Sequence, residues 1–267
     1  MASSQTPGSG NEFIAYNTQA VTGTFYLAVL GRRGSAGVPF NLTAYVAPPA
    51  HPDAPAITPA AATVTTPVIS TTLPANQVRT LILYNSLRMD QLFNGTDTFN
   101  NAGLPARLSA LAADPSVDGV LLDLSARISS GPNAGNFAYP DVQTAYTQWD
   151  QQANMNSPAA ANNVAAAIKS VIYGVAAAYP HLKYLVIVGD DRIVPFRRLV
   201  DQTLDYNENL YGPLARETRI SDALSSRYVL TDDYYSSLLP LNGCAGAELY
   251  LPSLSSGRLV EKPSEIA

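Results

Sequence analysis

Three short apolar runs set the frame of the chain. Arg79–Tyr84, Gly119–Leu124 and Tyr184–Val188 are continuous in hydrophobic character rather than alternating. That is the pattern of strands covered on both faces, as in a parallel sheet. Between the first two, Leu104–Ala113 is predicted helical, with Leu104, Leu108 and Leu111 on one face and Asp114-Pro115 as a stop. A longer helix is predicted from an N-cap at Ser157, with Pro158 at the first helical position, to Pro180. Along it Val164, Ile168, Val171, Ile172, Val175 and Tyr179 fall on one stripe, and alanine runs keep the helix slim. The order β-α-β-α-β predicts an α/β domain, a right-handed parallel sheet with helices on its faces.

Outside that frame the patterning changes. Residues 1–12 read as a disordered N-terminus. Residues 13–46 read as an antiparallel β segment: Phe25, Leu27 and Val29 alternate in one strand, Gly31–Gly37 is turn-rich, and Phe40–Val46 is a second strand. This hairpin is predicted to be the remnant of a β-sandwich module. Residues 47–76 are rich in Pro, Ala and Thr and read as a stiff, extended linker. Residues 77–267 then form the α/β domain. Beyond Asp191 it is loop-rich, with short strands near Tyr228 and Leu249. At the end, Ser264 is read as an N-cap opening a helix with no room to form, so the expectation is a domain truncated at its C-terminus.

Composition narrows the function classes. The chain has 267 residues, enough for a sizeable core, and 46% are hydrophobic. Charged residues are 14%, against roughly 25% in ordinary soluble domains. The net charge is −5, and no basic block exceeds Arg32-Arg33 or Arg197-Arg198. Neither a nucleic-acid partner nor an anionic membrane surface is expected. Cys244 is the single cysteine, which rules out an intrachain disulfide and a cysteine-based zinc site. The first ten residues carry no basic n-region and no apolar h-region, and no apolar run approaches the roughly 20 residues of a spanning helix.

Candidate chemistry gathers where the strands end. Asn85-Ser86, Asp123 and Gly189-Asp190-Asp191 follow the three runs, at the rim where open α/β sheets house their sites. Carboxylates there could hold a divalent cation such as Ca2+ or a cationic substrate. Equally, strand-end acids cap turns and helices by accepting backbone N–H groups. Asp232 and Asp233 form a second acidic cluster beside Tyr234 and Tyr235, without the spacing of a calcium loop. A surface turn is the competing reading. No required cofactor is indicated. His51 lies in the linker, His181 in a helix–strand turn, and Cys244 in a glycine-bounded loop, so no nucleophile and base stand together. Gly-x-Ser-x-Gly, Walker and Rossmann glycine motifs are absent.

The order of motifs carries a resemblance. Tyr184–Asp191, then Ile193-Val194-Pro195, Ser221-Asp222 with Tyr228, Asp232–Tyr235 and Ser256–Leu259 resemble the gingipain-type cysteine peptidases, a family related to the caspases. The resemblance covers about 80 residues, and 78–182 would be the smaller part of the same caspase/gingipain-like catalytic unit. It implies a secreted bacterial thiol endopeptidase acting on polypeptide substrates. Asp222 would match an acid lining the specificity pocket in arginine-cleaving members. The family's catalytic histidine and cysteine follow the Gly-Arg element, whose counterpart here is Gly257-Arg258, and neither lies between it and Ala267. The expectation is therefore a peptidase fragment, inactive by itself. The segment from Leu199 to Arg219 is longer than the family's simplest pattern. The alternatives are a non-enzymatic secreted surface or ligand-binding α/β module, and a small receiver-like domain, which the long Tyr/Asn-rich loops disfavour.

Overall fold

The computed structural model describes residues 73–201, 208–215, 217–238, 241–242 and 248–267, with the backbone alone at 241–242 and 248–249. The predicted hairpin at 13–46, nearly all of the linker, His51 and Cys244 lie outside the described residues.

The three apolar runs become β1 (Thr80–Tyr84), β2 (Gly119–Asp123) and β3 (Tyr184–Val188). They belong to a four-stranded parallel sheet whose fourth member is β8 (Ser255–Leu259), in the order β2-β1-β3-β8. Register runs from Thr80 opposite Gly119 and Tyr184 to Tyr184 opposite Ser255, so all four strands finish at one rim. Leu81, Ile82 and Leu83, with Val120 and Leu122, have no exposed surface. Burying each such side chain is worth about 1.5–3 kcal/mol, which is why this run of residues settles as a central strand.

The strand order reverses at β1. The chain steps from β1 outward to β2 and then returns to β3 on β1's other side. A crevice at the carboxyl ends of β1 and β3 follows from that switch.

Helices cover the faces. α2 (Leu104–Ala113) lies on β2 so closely that a Cβ on Gly119 would come within 2.8 Å of the Ala112 Cα. Leu104, Leu108 and Ala112 are the buried residues of α2. Leu111, expected on that face, is exposed, because the buried row runs at i, i+4 and i+8 through Leu104, Leu108 and Ala112 and leaves Leu111 to its side. α4 (Pro158–Ala178) has the predicted Ser157 cap, whose Oγ accepts from the Ala160 N–H at 3.3 Å. Its stripe of Val164, Ile168, Ile172 and Val175 is fully buried. α1 (Ser86–Leu92) and α3 (Pro140–Trp149) were not predicted. α3 packs beside α4 and buries Val142, Ala145, Tyr146 and Trp149.

After β3 the chain makes β4 (Arg197–Val200), a 3-10 segment at Glu208–Leu214, α5 (Thr218–Ser225) and β5 (Tyr228–Thr231). β4 and β5 pair antiparallel, and the predicted strand near Tyr228 is β5. α6 (Asp233–Ser236) follows, then the short antiparallel pair β6 (Leu241–Asn242) and β7 (Glu248–Leu249). Gly257-Arg258 lies within β8, and the next helix, α7 (Pro263–Ile266), begins only at Pro263. The C-terminal reading needs correction. Lys262, not Ser264, is the N-cap, the short helix does form, and the Ser264 hydroxyl donates to Asp97 instead. Proline at N1 fixes the start here, since its missing N–H is an orphan donor anyway.

Candidate functional site: the carboxyl rim of the sheet

The rim begins with the turn after β3. Gly189 has φ +116°, and a Cβ there would sit 2.5 Å from the Ile193 side chain. Only glycine takes that conformation without strain. The turn is tight because Ile193 and Val194 N–H both donate to the Asp190 carbonyl at 3.0 Å. Two tyrosines then fasten the Ile193–Pro195 segment from opposite elements. Tyr146 of α3 donates to the Ile193 carbonyl, and Tyr235 of α6 donates to that of Pro195 at 2.5 Å. Burial pushes the Tyr146 hydroxyl up to about 12 and the Tyr235 hydroxyl well above its ordinary value. Both stay protonated donors.

Each predicted rim acid has a definite place. Asp123 accepts from Ser86 N–H and Oγ and from Ser125 N–H and Oγ, at 2.5–3.2 Å. It ties the end of β2 to the start of α1, which is the capping role. Asp190 accepts from its neighbour Arg192, through the backbone N–H and the guanidinium. Asp191 is fully buried and meets Arg198 bidentately at 2.8 and 2.6 Å, also accepting the Phe196 N–H at 2.9 Å. Asp232 meets Arg258, likewise through two guanidinium nitrogens. Asp233 opens α6, is exposed, and donates its own N–H to the Thr231 hydroxyl at 3.1 Å.

Arg258 is the centre of this arrangement. Besides clamping Asp232, its Nη1 donates to the carbonyls of Gly189 at 2.9 Å, Val194 at 2.7 Å and Asp190 at 3.4 Å. Its guanidinium lies 4.2 Å from the Phe196 ring centroid. The predicted acids Asp190, Asp191 and Asp232 are thus brought into one neighbourhood, but with their charges matched by arginine. A carboxylate held bidentately by a guanidinium has spent its best ligand geometry. Among the described residues no three carboxylate, histidine or cysteine side chains gather as a metal-binding group.

Asp222 stands elsewhere. It is on α5, half-buried, and its side chain has no hydrogen bond or ion pair among the described residues. Its neighbour Ser221 donates to the Gly212 carbonyl at 2.8 Å, seating α5 on the 3-10 segment. His181 is exposed in the turn before β3, at the amino end of the sheet and away from the rim.

Two features were not read from the sequence. One is a shallow cleft of about 110 Å³ between α1 and α3, lined by Asn85, Arg88, Gln91, Gln143, Thr147 and Asp150 among others. It opens beside the carboxyl end of β1, on the crevice set by the strand order. Arg88 is 5% exposed, holds Asp150 bidentately at 2.7 and 2.8 Å, and donates Nε to the Arg192 carbonyl. Burial works against the charged form of Asp150, but Arg88 and Arg219 outweigh it and hold its carboxyl below the ordinary value. The other feature is Lys169, 1% exposed on α4. Its ammonium donates to the carbonyls of Tyr235, at 2.9 Å, and Ser237, and lies near the Tyr173 and Tyr234 rings. It caps the carboxyl end of α6, and burial pushes its pKa down to about 7. A helical stripe interrupted by one lysine was its only sequence signal.

Comparison of the chain with protein-family models, with curated proteins and with solved structures gave no match.

Proposed function

We propose that the α/β body is the scaffold and substrate-binding part of a secreted gingipain-like cysteine endopeptidase. In that reading the thiolate and histidine are supplied by sequence following the Gly257-Arg258 strand, and the 267-residue chain alone cleaves no peptide. One observation carries the proposal. Motifs scattered over about 70 residues, the Gly189-Asp190 turn, Ile193–Pro195, Asp232 and Gly257-Arg258, are joined by hydrogen bonds through Arg258. Four weak motifs in sequence become one constructed rim in space, with Tyr235 of the Asp232–Tyr235 motif also fixed to Pro195.

A rim built this way positions backbone rather than performing proton transfer, and the chemistry would come from a thiolate attacking the peptide carbonyl. The substrate would be a polypeptide with a basic residue before the scissile bond. Asp222 is the acid to meet it: half-buried and without a hydrogen bond or ion pair among the described residues, it would pair with an incoming guanidinium or ammonium. The test uses the full product of the gene. Asp222→Asn should lower kcat/KM at least about tenfold for substrates with arginine at the cleaved position, the worth of one charge-assisted hydrogen bond. Cleavage after a neutral residue should change little. Equal loss on both substrates, or none on either, removes Asp222 from specificity. The absence of any thiol-dependent cleavage would leave the second reading, a non-enzymatic secreted binding module.

A further inference from the structure

We propose that the junction of α1, α3 and α5 binds a carboxylate group, presented by a small organic acid or by the free C-terminus of a peptide. This does not depend on the peptidase reading.

Trp149 ends α3 and is fully buried. Three guanidiniums surround its indole: Arg219 at 4.3 Å, Arg88 at 5.4 Å and Arg198 at 5.6 Å from the ring. Two carboxylates answer them, Asp150 for Arg88 and Arg219, and Asp191 for Arg198. Among the described residues no third carboxylate pairs with these guanidiniums, so three cations at the indole share two anions. Nearby Arg192 is already matched by Asp190 at 2.6 Å and feels Glu217 as well. Glu217 itself is engaged as the cap of α5, accepting the Ile220 N–H at 2.8 Å.

The hydrogen-bond inventory points the same way. Trp149 Nε1 and Arg219 Nη1 are buried donors with no partner among the described residues. Buried donors are paired in more than nine of ten cases, and leaving one unpaired costs about 1–3 kcal/mol. Two such donors, one on a ring and one on the guanidinium stacked over it, call for the same kind of guest. The guest must be rich in acceptors and negatively charged, and a carboxylate is both, with the fork geometry a guanidinium prefers. The cleft between α1 and α3 is lined by Arg88 and Asp150, and Asp150, 42% exposed, is the group through which Arg219 adjoins it. Arg219 reaches Asp150 through a single hydrogen bond of 3.3 Å, weaker than the bidentate grip of Arg88, so it is the guanidinium freer to turn toward a guest.

The protein supplies its own reporter, because Trp149 is its only tryptophan. The 267-residue chain is titrated with acetate, with acetyl-Ala-Ala bearing a free C-terminus, with the same peptide amidated, and with inorganic phosphate, all against chloride at equal ionic strength. A saturable change in tryptophan emission is expected for acetate or the free-acid peptide. A response to acetate alone assigns the site to small acids, and a stronger response to the free-acid peptide assigns it to peptide termini. Arg219→Gln should raise the Kd about tenfold or more. Asp150→Asn should lower it, by removing a like charge and releasing donors of Arg88 and Arg219. That opposite sign keeps the test decisive if Arg219→Gln misfolds by circular dichroism. No saturable response to any carboxylate, an equal response to the amidated peptide, a response to phosphate alone, or weaker binding by Asp150→Asn would each overturn the proposal.

Discussion

Asp191 has no exposed surface, and Arg198 is nearly as buried, so each charge is tolerable only because the other is there. Removing one partner strands the other. Asp191→Asn should therefore cost about 3–5 kcal/mol in chemical denaturation, while Asp233→Asn, at an exposed position, should stay within about 0.5 kcal/mol. Lys169 gives a prediction in pH. Its pKa is about 7 folded and 10.5 unfolded, so between these values the unfolded chain binds the extra proton. Stability should then rise with pH across pH 7–9, with a slope approaching about 1.4 kcal/mol per unit. Lys169→Met should flatten that slope, as read from urea midpoints. A wild-type slope unchanged by the substitution would remove Lys169 as its source. At this scale the sequence was partly legible. That Gly189-Asp190-Asp191 ends a strand could be read from the string. That Asp191 faces Arg198 seven residues on, while Asp232 faces Arg258 across 26 residues, could not. Pairing between turns is fixed by tertiary approach, not by local pattern.

Elements with a strong period were legible, and those without were not. α2, α4 and β1 to β3 follow from continuous runs, caps and stops. α3 was legible in principle: Val142, Ala145, Tyr146 and Trp149 recur at helical spacing behind Pro140, but intervening Gln, Thr and Asp mask them. β8 was not legible, since Ser255–Leu259 has neither a run nor an alternation and lies mostly exposed. It is a strand because of what it joins: Gly189 N–H donates to the Leu259 carbonyl at 2.7 Å, and Arg258 locks the turn beyond β3. The Gly189 turn is therefore the element whose loss should propagate. Gly189→Ala combines a positive φ with a 2.5 Å clash against Ile193. We expect a loss of about 2–4 kcal/mol, with faster amide exchange concentrated in β8 and the 190–196 turn. Exchange rising evenly over the domain would contradict this local role.

For the whole molecule, the parallel order β2-β1-β3-β8 turns four strand ends into one rim with a crevice between β1 and β3. Of the acids that first suggest a cation or active site at that rim, Asp190, Asp191 and Asp232 are held by Arg192, Arg198 and Arg258, and Asp123 by Ser86 and Ser125. Asp222 on α5 and the Arg88–Asp150 pair take no part in those ion pairs. The most direct measurement is peptide cleavage by the 267-residue chain and by the full product of its gene, each with and without iodoacetamide. No cleavage by the 267-residue chain alone is expected, and cleavage by the full gene product that iodoacetamide abolishes. Cleavage by the 267-residue chain alone, or activity in the full gene product that survives thiol alkylation, would contradict this.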